Sequence, residues 1–269
     1  MVFVQRILEL LDRSMNTPPL FGWFHWLSLG VMVLVTVLLC RGHKNDSPER
    51  VRHVVRNTAL LVIALEVYKQ INYSFSYSQG IDFDYQWYAF PFQFCSTPMY
   101  VGLAAGLLPQ GRVQKALYAY LATFAMFAGA AVMVYPGDVF VSTIGINIQT
   151  MICHGSMICI GVYLMYTGAV KLEHRTIVSA MAVFTVGVVL ATIFNEIAYV
   201  TGLLKTETFN MFFISRHCQP SLPVYSLVQQ VVPYPLSLLI YILGFTAAAY
   251  IILLLGKGIK KAGQRSMKA

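Results

Sequence analysis

Apolar runs of membrane-crossing length recur along the chain, separated by short polar stretches. An α-helix needs about 20 apolar residues to cross a bilayer core. The pattern predicts seven such helices, at about 20–40, 57–75, 90–108, 115–135, 147–166, 176–199 and 230–255. Breaker sequences mark several of the gaps: Asn16-Thr17-Pro18-Pro19, Pro109-Gln110-Gly111-Arg112 and Tyr135-Pro136-Gly137-Asp138. Residues 1–13 set Val2, Phe3, Val4, Ile7, Leu8 and Leu11 against Arg6, Glu9, Asp12 and Arg13. That alternation predicts a short helix lying on the membrane surface. The expected fold is all-α, one integral membrane domain over 1–269.

Composition narrows the class further. The chain is 57% hydrophobic and 11% charged, whereas soluble domains carry about 25% charged residues. No sizeable soluble domain fits. The net charge of +8 lies in loops and does not indicate nucleic acid. Of 19 Lys and Arg, 14 fall in the first, third and fifth loops and the C-terminal tail. Four fall in the N-terminal segment and the remaining loops, and Lys69 lies inside the second span. Cationic loops stay cytoplasmic, so the N-terminus is expected outside and the C-terminus inside. The expected location is the cell membrane, multi-pass, with membrane lipids as partners.

The intramembrane polar residues share one depth. His25, Lys69, Asn72 and Cys95 lie near the outer ends of the first three spans, and His154 a little deeper on the fifth. Asn195 and Glu196 end the sixth span, and Gln229, Gln230 and Tyr234 begin the seventh. The inner halves are nearly all Val, Ile, Leu, Ala and Met. Polar groups facing lipid are costly, so these should turn inward and line a chamber. Glu66 and Lys69, spaced i, i+3, should pair on one helix face. The alternative is a polar network that only fixes packing.

Within that layer, Cys95 and His154 carry the candidate chemistry. A thiolate is a nucleophile, and an imidazole can take the thiol proton. Asn195 or Glu196 would orient the imidazole. A thioester would suit acyl transfer to or from a lipid. The competing reading of Cys95 is a small buried hydrophobe, and Cys153 and Cys159 read as packing. On an ideal helix Cys153 faces about 100° away from His154, so the two need not share a cavity. Gly102 and Gly106 form a GxxxG pair, which means close helix packing. Five cysteines make no disulfide framework, and His217-Cys218 supplies too few ligands for a metal. No cofactor is expected. The seventh span has no lysine for a retinal Schiff base, and no phosphate-binding loop, zinc-protease motif or G-x-S-x-G is present.

Four features resemble the YwaF-like integral membrane family, whose animal branch includes transmembrane protein 164. They are His25 in Phe21-Gly22-Trp23-Phe24-His25-Trp26, Phe90-Pro91-Phe92-Gln93-Phe94-Cys95, His154 on the fifth span, and Asn210-Met211-Phe212 followed by Pro220 and Pro233-Tyr234-Pro235. The second resembles the family's Leu-Pro-Leu-His-Leu-Cys signature. The resemblance implies a phospholipid acyltransferase-like activity with Cys95 as nucleophile and His154 as partner, and a distant link to membrane fatty-ester hydrolases that use threonine and histidine. The chain departs at Gln93, where the signature has histidine, and glutamine is no proton shuttle. The first expectation is a lipid acyltransferase or ester hydrolase. The second is a transporter or ligand-binding protein holding a solute on Glu66, Lys69, Asn195 and Glu196. The third is a non-catalytic membrane subunit.

Overall fold

A computed structural model describes Arg6, Leu10 and residues 12–76, 82–202, 209–219 and 222–266. The surface helix expected over 1–13 lies almost wholly outside the described residues, as does Pro220 of the family-like pattern. Eight helices build the described chain: α1 (Trp23–Cys40), α2 (Pro48–Ser74), α3 (Thr97–Leu107), α4 (Arg112–Val134), α5 (Ile144–Tyr166), α6 (His174–Val200), α7 (Pro223–Val231) and α8 (Tyr234–Ser266). One two-residue antiparallel ladder, Phe75–Ser76 against Asp82–Phe83, accompanies them. The fold is all-α.

Five helices, α1, α4, α5, α6 and α8, are long and apolar enough to cross a membrane. Two of the seven expected spans take another form. α2 has 27 residues and starts well before position 57. Ser47 caps it by accepting from the Arg50 N–H, Pro48 opens the first turn, and Glu49 follows, which together make a strong helix start. Its first half is therefore basic helix, not loop.

The helix expected over 90–108 begins only at Thr97, and α3 is 11 residues long. That is about 17 Å, too short to cross by itself. Two prolines explain the late start. Phe90, before Pro91, is extended (φ −48°, ψ 131°), as residues before proline prefer, and Pro98 sits in the first turn of α3. The seventh span also divides. Gln229 and Gln230 belong to α7, and α8 starts at Tyr234 and runs on through Lys257, Lys260 and Lys261 to Ser266.

The centre of the bundle is α4 against α5. In each, 61% of the apolar stretch is buried, against 11% of α1. Small residues allow this approach. A Cβ on Gly129 of α4 would lie 2.6 Å from the His154 carbonyl oxygen and 2.8 Å from Met157. Gly102 and Gly106 do the same for α3 on α2, where a Cβ at Gly106 would come within 2.7 Å of the Arg56 Cα. Midway along α4, Leu121–Ala125 forms a π turn, and all five residues are buried. Such turns hold one residue more than an α-helical turn.

Candidate functional site

α2 buries Val51, Val55, Ala59, Val62 and Glu66, a stripe at three- and four-residue intervals. That stripe turns Glu66 inward with the apolar face. Lys69 Nζ lies 2.7 Å from Glu66 Oε1, the pairing that the i, i+3 spacing predicts. Gln70 Nε2 donates to the same oxygen at 2.8 Å and to the Ala89 carbonyl at 2.7 Å. The buried carboxylate is therefore both charge-paired and hydrogen-bonded, as burial requires.

Cys95 sits in a turn just before α3. The Gln93 carbonyl accepts from the N–H groups of Ser96 (2.9 Å) and Thr97 (3.0 Å) and closes that turn. The residues on either side of the turn are anchored. Phe94 packs into an aromatic cluster, 5.1 Å from Phe184, 5.1 Å from Phe245 and 5.7 Å from Phe212 between ring centres. Gln93 uses its whole amide, donating to the Asn210 carbonyl and accepting from the Phe212 N–H, each at 3.0 Å. The thiol is half-buried on a fixed turn, at the positive end of the α3 dipole.

His154 lies on α5. Its Nδ1 is 2.8 Å from the Thr150 carbonyl. A carbonyl can only accept, so Nδ1 carries the proton and Nε2 a lone pair. Nε2 is buried and has no hydrogen-bond partner among the described residues. Thr150 thus orients the imidazole, and neither Asn195 nor Glu196 does.

One cavity of about 570 Å³ gathers these groups. Glu66, Lys69, Gln93, Cys95 and His154 all line it. Cys153 lines it too, so adjacent positions on α5 reach the same space despite their angular separation. The sequence reading missed Tyr73, Tyr88, Ser96, Asp138, Gln149 and Thr150, which also line it. Gln149 carried a usable signal: it stands one turn before Cys153 and donates to its Sγ at 3.4 Å, and its own carbonyl oxygen is buried without a partner among the described residues.

Five expected members lie elsewhere. His25 Nδ1 accepts from the Phe21 N–H at 3.1 Å, and Nε2 donates to the Met133 carbonyl at 2.8 Å. Both ring nitrogens are used, and the residue ties α1 to the end of α4. Asn72 donates to Asp12 at 2.7 Å, beside a short pairing of Ser14 with Thr143. Asn195 pairs with the backbone of Met211, donating to its carbonyl (3.1 Å) and accepting from its N–H (2.8 Å). Glu196 holds Arg216 through two bonds of 2.9 Å and His217 at 3.1 Å. Tyr234 lies under the Arg216 guanidinium, 5.8 Å from ring centre to Cζ.

Gln93 of the cavity and Asn195 of α6 explain the Asn210-Met211-Phe212 motif. Gln93 and Asn195 both clamp it, each using a side-chain amide as a strand would use its backbone. The Tyr241 hydroxyl donates to the Phe212 carbonyl at 3.0 Å, and Asn210 Oδ1 accepts from the Ser215 N–H. The segment needs the support, because Phe212 and Phe213 hold φ of 58° and 57°, a left-handed conformation that bulky residues rarely adopt. Gln93 is therefore a positioning residue beside Cys95, a role that asks for an amide and no proton shuttle.

The chain matches the model of the TMEM164 family over residues 20–256. No curated protein and no solved structure matches it.

Proposed function

The chain belongs to the TMEM164 family, and from that premise we propose that the Cys95 cavity is a lipid-directed acyl-transfer site in a multi-pass membrane protein. The observation that carries the reading is the shared cavity: Cys95, on a turn with anchored neighbours, and His154, whose buried Nε2 has no partner among the described residues, both line one space beside the Glu66–Lys69 pair.

In this reading Cys95 Sγ attacks the carbonyl carbon of a lipid ester and forms a C–S bond. The thiol proton passes to His154 Nε2. Collapse of the adduct breaks the ester C–O bond, and the leaving lysolipid oxygen takes the proton back from His154. A second lysolipid hydroxyl, or water, then attacks the thioester and restores the thiol. Lys69 is the cation for a headgroup phosphate.

The full proposed topology has seven passes, with α2 and the 90–107 segment also within the bilayer, the N-terminus outside, and the cell membrane as location. The cavity then lies in the outer half. Transport would need the cavity to continue through the bundle. On the far side of Val62, Met99 and Cys153 lies a separate, mostly apolar crevice of only about 30 Å³, walled also by Val55, Ala59, Leu121 and Ile160, which supports a closed-ended site over a through path.

The test is mass spectrometry of the Cys95 peptide after purified protein is incubated with a fluorescent-acyl phospholipid. A hydroxylamine-labile acyl adduct is expected on the wild type and absent from Cys95→Ser. Turnover that survives Cys95→Ser overturns the reading, and solute uptake lost in Glu66→Gln but kept in Cys95→Ser points to transport.

A further inference from the structure

A second cavity, of about 510 Å³, opens at the other end of the bundle, where the α1–α2, α3–α4 and α5–α6 connections meet. α4 separates the two. Its first turn supplies Lys115 to this cavity, and the connection after its last turn supplies Asp138 to the Cys95 cavity. Its 23 residues span about 35 Å.

The wall is built for negative charge. Lys115, Lys171 and Arg175 line it, and none makes a side-chain hydrogen bond or ion pair among the described residues. Two carboxylates share the wall. Asp46 is already engaged by Tyr163 (2.6 Å), His43 (3.0 Å) and Arg50 (3.5 Å), which leaves Glu173 alone against three cations. α4 and α6 both begin here, and neither has a side-chain cap on its first turn. Open N–H groups and two positive dipole ends add to the cations.

Tyr118 supplies an independent sign. It lines the cavity and is only 5% exposed, yet its hydroxyl has no hydrogen-bond partner among the described residues. A buried hydroxyl left unpaired is costly, and an anion seated deeply enough to reach it would satisfy it.

We propose that this cavity binds a phosphate-bearing anion through Lys115, Lys171 and Arg175. The inference is independent of any chemistry at Cys95. It gives three of the cations that set topology a second, local task. The phosphate has two possible sources, a lipid headgroup of the adjoining leaflet or a soluble phosphorylated compound.

Native mass spectrometry of the full chain in detergent tests this, with phosphatidic acid and inorganic pyrophosphate as separate probes. At least one is expected to be retained. The Lys115→Gln/Lys171→Gln/Arg175→Gln variant should bind it about tenfold more weakly or worse. Tyr118→Phe removes only an unpaired hydroxyl, so it should fold normally and weaken binding by roughly threefold. A Lys257→Gln/Lys260→Gln/Lys261→Gln variant in α8 should bind as wild type. Retention of phosphatidic acid alone assigns a lipid headgroup, and of pyrophosphate alone a soluble ligand. Retention of neither overturns the proposal, as does equal loss in the α8 variant or unchanged affinity in Tyr118→Phe.

Discussion

Two buried histidines sit on the neighbouring helices α1 and α5, and they are finished differently. His25 on α1 has both ring nitrogens hydrogen-bonded, one to Phe21 and one to Met133. His154 on α5 has one nitrogen bonded to Thr150 and the other free. Both residues are at most 5% exposed. Burial and residue type do not separate them. Completeness of hydrogen bonding does: a satisfied imidazole is a fastener, and an unsatisfied one that lines a cavity with a thiol is a candidate base.

The sharpest way to break this contrast is to exchange the roles. His154→Gln is expected to lower acyl turnover by about 10²–10⁴-fold, the usual contribution of a general base, with the melting temperature nearly unchanged. His25→Gln should do the reverse, costing about 1–3 kcal/mol of stability through orphaned buried partners while folded protein keeps its turnover. Steady-state assays beside thermal melts decide both, and a His25 variant that is stable but inactive would dissolve the distinction. Gly129→Ala tests the helix that both histidines contact. Its Cβ would press on the His154 carbonyl, and overpacking of this kind costs about 1–3 kcal/mol, so stability and turnover should fall together.

A third histidine gives the smallest effect. His43 lies outside the membrane-spanning helices and binds Asp46 at 3.0 Å. Burial pushes the Asp46 carboxyl up, but Tyr163, His43 and Arg50 outweigh it and hold the group below its ordinary value. A depressed carboxyl contributes stability above its unfolded pKa, and that stability is lost as pH falls through the folded value. Melts of wild type and Asp46→Asn should therefore differ at neutral pH and converge in the acid range, below about pH 4.

Much of this architecture was readable in the chain, and the exceptions have physical causes. Long apolar runs gave α1, α4, α5 and α6 to within a few residues. The early start of α2 was also legible, in Ser47-Pro48-Glu49, but the charged residues after it read as a loop because hydropathy reports solvent and not backbone conformation. Pro91 and Pro98 marked the turn that carries Cys95, although the apolar residues around them read as continuous helix. The polar layer was visible as a set, and Glu66, Lys69, Gln93, Cys95 and His154 meet in one cavity. Asn195 could not be sorted from them in advance. Its partners are backbone groups of Met211, and backbone partners leave no mark in a sequence. The same holds for His25, whose two partners are a backbone N–H and a backbone carbonyl.

The π turn at Leu121–Ala125 has a consequence for how this chain can vary in length. Below it, Met126–Val134 is rotated relative to an uninterrupted helix by the angle of the extra residue, about 100°. That rotation presents Gly129 to His154 and the Met133 carbonyl to His25. One surplus residue, buried within α4, thus sets two contacts at once. Deleting any residue of Leu121–Ala125 would restore ordinary α geometry locally and turn both contacts away, the Gly129 approach to α5 and the Met133 bond to His25, in a single step. Surface loops absorb such changes in length; this stretch converts them into a change of register.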